Sequence, residues 1–167
     1  MDAEQKRFKL CKKNQGFTLI EMMITIVIAA ILLTVGIPSF FNMIERNSVS
    51  STSNELVAAL LYARSEAVRQ EGNAIFTPDA NGWTVGVDTD LDGVVDANIL
   101  QYAIDNAHVS IAEALNANTL TYNSRGRATA SAGDSIEISY DGTLKSRVCI
   151  SLIGRPSIKK IDEGDCP

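Results

Sequence analysis

Residues 16–44 of this chain read GFTLIEMMITIVIAAILLTVGIPSFFNMI, and this stretch decides the fold. No charged residue follows Glu21 until Glu45. As an α-helix, residues 22–44 would be about 35 Å long, and the hydrocarbon core of a bilayer is about 30 Å thick. The segment is therefore predicted to cross a membrane once. It is too long for a secretory signal peptide, whose apolar run has about 7 to 15 residues.

The charges around this segment predict its orientation. Residues 1–16 contain five Lys or Arg and two Asp or Glu, which places the N-terminus in the cytoplasm and the rest of the chain outside. The net charge of the whole chain is −5, so the part after residue 16 is acidic. This acidic balance disfavours a broadly basic surface for nucleic acid, and any DNA contact would be local.

An amphipathic pattern follows the apolar run. Its apolar residues are spaced by three and four, as on one helix face: Leu56, Val57, Leu60, Leu61, Ala67 and Val68. The polar residues among them are expected to face solvent: Glu55, Arg64, Glu66, Arg69 and Gln70. Gly72 and Asn73 supply a stop signal. One helix is predicted over residues 17–71, with a kink or local melting at Gly36 and Pro38.

From Asn73 onward the pattern is that of short β-strands. They are predicted at residues 74–76, 83–87, 99–104, 119–122, 136–140 and 147–152. Asp141 and Gly142 predict a hairpin turn, and residues 123–126 predict another turn. The predicted fold class is α+β, in which the amphipathic half of a long N-terminal helix packs on one face of an antiparallel sheet.

The sequence disfavours an enzyme. His108 is its only histidine, and it has no metal-spaced His/Cys cluster and no G-x-S-x-G motif. Ser151 and Ser157 have no evident base. We expect His108 to be a surface or half-buried strand residue, and we predict no catalytic residues.

The residues Gly16, Phe17, Thr18, Leu19, Ile20 and Glu21 follow a short basic leader and precede an apolar helix with a Gly-x-Pro. This combination resembles the prepilin signal of type IV pilins and type II secretion pseudopilins. The resemblance implies that a membrane prepilin peptidase cleaves after Gly16 and methylates the new amine of Phe17. It also implies a leader (residues 1–16), a transmembrane and assembly helix (17–44) and a periplasmic pilin body (45–167), anchored by a single pass in the inner membrane.

Glu21 is the one carboxylate at the start of the apolar helix. A charge in such a segment is costly and usually marks a functional contact. After cleavage, the cationic amine of Phe17 on a neighbouring subunit could meet Glu21 and neutralise both charges. The alternative is a glutamate that reaches the membrane edge without a partner. We favour the assembly role.

Later motifs resemble the minor pilins of the GspH, FimT and FimU group. They are residues 83–87 followed by an Asp-rich loop, residues 122–127 (YNSRGR) and residues 150–155 (ISLIGR). The FimU type fits best because the chain ends in a pair of cysteines. The resemblance implies a minor pilin near the fibre tip that helps to prime pilus assembly, just below a capping subunit. Its implied partners are other minor pilins, the major pilin and the inner-membrane assembly platform. A minor pseudopilin of type II secretion and a DNA-binding minor pilin of natural transformation remain as alternatives.

Cys11 would be lost with the leader, which leaves Cys149 and Cys166 as an even pair in an oxidising compartment. Such a pair predicts a disulfide, and two free thiols are the alternative.

The loop at residues 88–96 reads DTDLDGVVD and matches the first half of a calcium loop. The twelfth position is Ile99, where such a loop has a bidentate glutamate. An ordinary polar turn is therefore the alternative. If calcium binds, the expected ligands are Asp88, Asp90, Asp92 and Asp96; no other cofactor is expected.

One basic cluster lies near the C-terminus: Arg147, Arg155, Lys159 and Lys160. DNA-binding members of the FimT type carry a Gly-Arg-x-Arg turn, and here Ser157 replaces the second arginine. The missing charge should weaken a phosphate contact, so DNA binding is disfavoured.

Overall fold

Helix α1, Leu19–Arg69, is the first element of the structure. The computed structural model describes residues 16–115, 118–131 and 133–166, so the leader residues before Gly16, including Cys11, lie outside the described ranges. The contacts separate two compact units, residues 1–41 and 42–167. The boundary between the two units lies within α1, and each unit is described by itself.

A kink or local melting was predicted at Gly36 and Pro38, and the local melting is not observed. Gly36 and Pro38 both lie within the continuous helix. Proline removes a single backbone donor, and the residues on either side of it remain helical. In an apolar segment every further unpaired backbone group would be costly, so a single lost hydrogen bond is the smaller penalty.

In the second unit, one face of α1 is buried. Its residues recur every three or four positions: Val49, Thr52, Ser53, Leu56, Ala59, Leu60, Ala63, Glu66 and Ala67. Leu61 and Val68 were predicted to lie on this buried face, but they are 46% and 50% exposed. The burial of Glu66 corrects the prediction that this residue faces solvent.

Glu66 is buried with its charge compensated. Arg69 Nη2 lies 2.5 Å from its Oε2, and Gln70 Nε2 donates to the same oxygen at 3.0 Å. The hydrogen bonds from Arg69 and then Gln70 lower the pKa of this carboxyl group, although burial opposes the shift. A glutamate paired in this way can lie on a buried face.

Eight strands of the described residues form two antiparallel sheets of four strands each. The strands are β1 Asn73–Asp79, β2 Gly82–Asp88, β3 Ala97–Ala103, β4 Val109–Ala114, β5 Leu120–Tyr122, β6 Ser135–Tyr140, β7 Thr143–Ile150 and β8 Pro156–Lys160, with a 3-10 turn at Ile161–Glu163. The first sheet has the order β3-β2-β1-β5 and the second β4-β6-β7-β8. The predicted α+β class is confirmed, with two antiparallel sheets where the sequence analysis expected one.

Strands β4 and β8 were missed. The sequence of β4 is VSIAEA, in which alanine and glutamate weaken the strand pattern. Strand β8 begins with Pro156 and ends with two lysines, and it lies at the edge of its sheet. Proline and lysine are typical of edge strands, where a missing backbone donor costs little.

Both sheets and the buried face of α1 share one apolar core. The largest fully buried side chains come from all three parts: Leu56 and Leu60 from α1, Phe76, Leu120 and Tyr122 from the first sheet, and Ile136, Ile138 and Ile150 from the second. The helix therefore covers two sheets at once.

The turns at both ends of β7 explain its boundaries. Asp141 and Gly142 have positive φ angles of 48° and 72°, as a two-residue hairpin requires, and this confirms the predicted turn. At the other end, Gly154 has φ 75° and its amide donates to Ser151 O at 2.7 Å. A Cβ added at Gly154 would lie 2.8 Å from Tyr122 Cε1, so the turn needs glycine. Strand β7 consequently ends before Leu152, which was predicted to belong to it.

The predicted disulfide is confirmed. Cys149 on β7 is bonded to Cys166, with 5.4 Å between their Cα atoms and a sequence separation of 17. Contacts from Asp165 hold the same segment: its carboxylate accepts from Arg147 Nη1 at 2.6 Å and its main-chain oxygen from Lys159 Nζ at 2.9 Å. The bond therefore ties the C-terminal segment to the second sheet.

Cys166→Ser is expected to lower the free energy of unfolding by about 3 kcal/mol, because the open chain gains loop entropy in the unfolded state. Thermal unfolding of the detergent-solubilised chain measures the change. Wild-type protein treated with reductant should melt at the same temperature as the variant, and reductant should not affect the variant. Equal melting temperatures for oxidised wild type and variant would contradict the prediction.

Candidate functional site

The start of α1 carries a capping box. Thr18 precedes the helix, and its Oγ1 accepts from the Glu21 amide at 3.3 Å. In return, Glu21 Oε2 accepts from the Thr18 amide at 2.9 Å and from Thr18 Oγ1 at 2.9 Å. This reciprocal pairing satisfies backbone donors that the first helical turn leaves free. The structure thus assigns Glu21 a local contact that the sequence analysis missed, although the spacing Thr-x-x-Glu signals it.

The first unit is an exposed apolar helix. Every residue from 16 to 41 is exposed, and the exposed fraction reaches 82% for Phe17. By length and composition, this helix can cross a membrane. The helix of the first unit thus exposes large apolar side chains on all sides and carries one carboxylate near its start.

The acidic loop joins β2 to β3. Asp88, Asp90 and Asp96 each place a carboxylate oxygen within 4.8 Å of the others. Asp92, the fourth predicted ligand, is outside this group, and its Oδ1 accepts from the Val94 amide at 2.8 Å. The structure therefore brings together three of the four predicted residues.

The charges in this loop affect Asp90. Its Oδ1 accepts from the Asp92 amide at 3.3 Å, which by itself would lower its pKa. Partial loss of hydration, the negative charges of Asp92 and Asp96, and the neighbouring Asp88 carboxylate outweigh that effect, so the pKa of the Asp90 carboxyl group is raised. The loop is a concentrated patch of negative charge.

The four cations near the C-terminus do not form one surface. Arg147 and Lys159 are paired across β7 and β8, whereas Lys160 pairs with Ser146 and therefore points to the other face of the sheet. Arg155 is exposed beyond the turn at residues 151–154. Only Arg147 and Lys159 are thus brought together.

Arg147 is already paired. Its Nε donates to Glu137 Oε1 at 2.9 Å and its Nη1 to Asp165 Oδ1 at 2.6 Å, and its side chain is only 21% exposed. The hydrogen bonds to Glu137 and then Asp165 raise the pKa of its guanidinium. A phosphate would have to compete with two carboxylates for this side chain.

His108 lies in the turn before β4 rather than in a strand. Its Nδ1 is 2.7 Å from Asp141 Oδ1, both side chains are exposed, and its ring stacks on Tyr140 with 5.5 Å between centroids. The expected position of His108 at the surface is therefore confirmed, and the expectation that this residue lies in a strand is wrong.

The fold and the exposed N-terminal helix define a pilin-like protein. Residues 52–154 match the family model of the type II transport protein GspH, and residues 11–37 match the prokaryotic N-terminal methylation motif. The chain belongs to the GspH family of minor pilins and pseudopilins. The members of this family are structural pilins. The apolar helix and the methylation motif of this chain indicate membrane anchoring and incorporation into a pilus.

Solved structures are similar to the chain over most of its length. The type IV minor pilin FimU of Pseudomonas aeruginosa PAO1, in space group P21, is 25% identical with a TM-score of 0.56, covering 74% of this chain and 95% of that one. A second crystal form of FimU, P65, is 23% identical with a TM-score of 0.54, covering 71% of this chain and 96% of that one. The comparison with curated proteins gave no match.

Proposed function

We propose that this chain is a minor type IV pilin that helps to prime pilus assembly as part of a tip-associated complex. The observation that carries the proposal is the exposed apolar helix with Glu21 in its first turn. An apolar surface of this extent needs lipid or other subunits to cover it. A bilayer covers it before assembly, and neighbouring pilin helices cover it in the fibre.

Processing completes the assembly surface in this proposal. Cleavage after Gly16 gives Phe17 a charged amine, two residues before the first residue of α1 and four residues before Glu21. The described hydrogen bonds to Glu21 all use Oε2, which leaves Oε1 available to a neighbour's amine. Pairing of the two charges would favour the assembled state, because either charge alone is costly in an apolar environment.

The partners in this proposal are other minor pilins, the major pilin, the prepilin peptidase and the inner-membrane assembly platform. The body is on the periplasmic side before assembly and near the fibre tip afterwards. A subunit that retains Glu21 can contact the amine of a neighbour, which supports a position just below a capping subunit.

A minor pseudopilin of type II secretion is the second candidate. The matching family model, described as type II transport protein GspH, favours it, whereas the similarity to a type IV minor pilin favours the first candidate. DNA binding receives less support, because Arg147 is paired with two carboxylates and Lys160 points away from Lys159.

Deletion of the gene tests the two candidates together. Loss of a priming subunit lowers the nucleation of fibres and leaves synthesis of the major pilin unaffected, so we expect fewer sheared surface pili with unchanged total and processed major pilin. Expression of the wild-type chain from a plasmid should restore the fibres. Normal pili with impaired protein secretion would favour the pseudopilin, and normal pili with normal secretion would contradict both candidates.

A further inference from the structure

The end of β2 and its connection to β3 carry four aspartates, and none of them forms an ion pair with a lysine or arginine of the described residues. We propose that Asp88, Asp90 and Asp96 bind a calcium ion that holds this connection in place. The proposal goes beyond the function in pilus assembly and does not depend on it.

Asp88 supplies the strongest argument, because it is fully buried. Its Oδ2 accepts from Asn73 Nδ2 and from the Gly93 amide, each at 3.2 Å. Its Oδ1 is also buried, yet it has no hydrogen-bond partner in the described part of the chain. A buried carboxylate with an unsatisfied oxygen is costly, and because one carboxylate oxygen of Asp88 belongs to the three-aspartate cluster, a cation there would compensate its charge.

Asp90 and Asp96 complete the cluster from the solvent side. Both are exposed, so an ion can enter without opening the core. Asp96 is held in position, because its Oδ2 accepts from the Thr89 amide at 2.7 Å and from Thr89 Oγ1 at 2.6 Å. Its own amide donates to Val87 O at 2.8 Å, which returns the end of the loop to β2. Hydrogen bonds thus hold Asp88 at the start of the loop and Asp96 at its end.

The donor set fits calcium. Carboxylate oxygens are hard ligands that suit Ca²⁺ or Mg²⁺ rather than zinc, and Ca²⁺ accepts six to eight oxygens in flexible geometry. Three carboxylates leave coordination positions for water, which is typical of weak extracellular sites with a Kd of about 0.1–1 mM. Mg²⁺ requires stricter octahedral geometry and retains its water, so it should bind less well.

The experiment uses the full-length chain in detergent after chelator treatment and dialysis. We expect calorimetry to show binding of Ca²⁺ in this range, and 10 mM Ca²⁺ to raise the melting temperature by about 3–10 °C. The same concentration of MgCl₂ is the control for ionic strength and should give at most half of that shift. No heat and no shift with Ca²⁺, or an equal shift with Mg²⁺, would overturn the proposal.

Two matched variants locate the site. Asp90→Asn removes a charge from the cluster and should abolish the calcium shift. Asp92→Asn removes a charge from the same loop outside the cluster and should retain it. Without calcium, Asp90→Asn should melt at the same temperature as wild type or higher, because repulsion within the loop decreases, and this separates a lost site from a damaged fold. Loss of the shift in both variants, or in neither, would contradict the assignment.

Discussion

Replacing Gly16 with valine is expected to leave residues 1–16 attached to the chain. A Cβ added at Gly16 meets nothing within 4 Å, so the substitution does not disturb the chain itself. The effect arises at the prepilin peptidase, which accepts a small residue before the cleavage point in the family that this chain resembles. Phe17 then acquires no free amine, and the variant should be absent from sheared fibres. Immunoblots and N-terminal mass spectrometry measure the processed fraction.

Gly36→Val is the matched control. Gly36 also lies in the first unit, and an added Cβ there likewise meets nothing within 4 Å. The two variants therefore add the same side chain to the same unit, and only Gly16 lies at the cleavage point. We expect Gly36→Val to be processed like wild type. Normal processing of Gly16→Val would show that the leader is not read at this position.

Glu21→Gln is expected to be processed normally but to enter fibres roughly ten-fold less efficiently or worse. Glutamine retains an oxygen that can accept from the Thr18 amide, because the capping box functions with either residue. The substitution therefore removes the charge and preserves the cap. A neighbour's Phe17 amine would lose its counter-charge, and an unpaired buried charge costs several kcal/mol. The ratio of the variant to the major pilin in sheared fibres measures the effect.

Thr18→Ala is the complementary variant. It removes the hydroxyl that accepts from the Glu21 amide and leaves the carboxylate in place. The loss of a helix cap costs about 1 kcal/mol, so we expect incorporation close to that of wild type. If Thr18→Ala assembles as poorly as Glu21→Gln, which keeps the cap, assembly requires the cap as well as the charge. If Glu21→Gln assembles like wild type, charge pairing is not needed for assembly.

The sequence by itself determined the features that depend on neighbouring residues. A helix was predicted over residues 17–71 and is observed at Leu19–Arg69, because apolar run length and helical spacing act within one segment. The hairpin at Asp141 and Gly142 follows from residues that tolerate positive φ. The Cys149–Cys166 disulfide follows from a pair of cysteines outside the leader.

Pairing between distant segments decided the elements that were missed. Strand β4 has a weak local pattern but pairs with β6 along its whole length. Strand β8 starts with proline, and its pairing with β7 stabilises it. Local propensity does not contain these energies, because they depend on which segments meet.

Only the tertiary structure decided which charged side chains act together. Asp92 has the same sequence spacing as its neighbours but leaves the cluster, because positive φ angles at Leu91 and Gly93 break the alternation of the chain. Lys159 and Lys160 are adjacent in sequence, yet they point to opposite faces because side chains alternate along a strand. The spacing of charges along a sequence therefore predicts which types of residue a site contains. The path of the backbone determines which of the candidate residues come together.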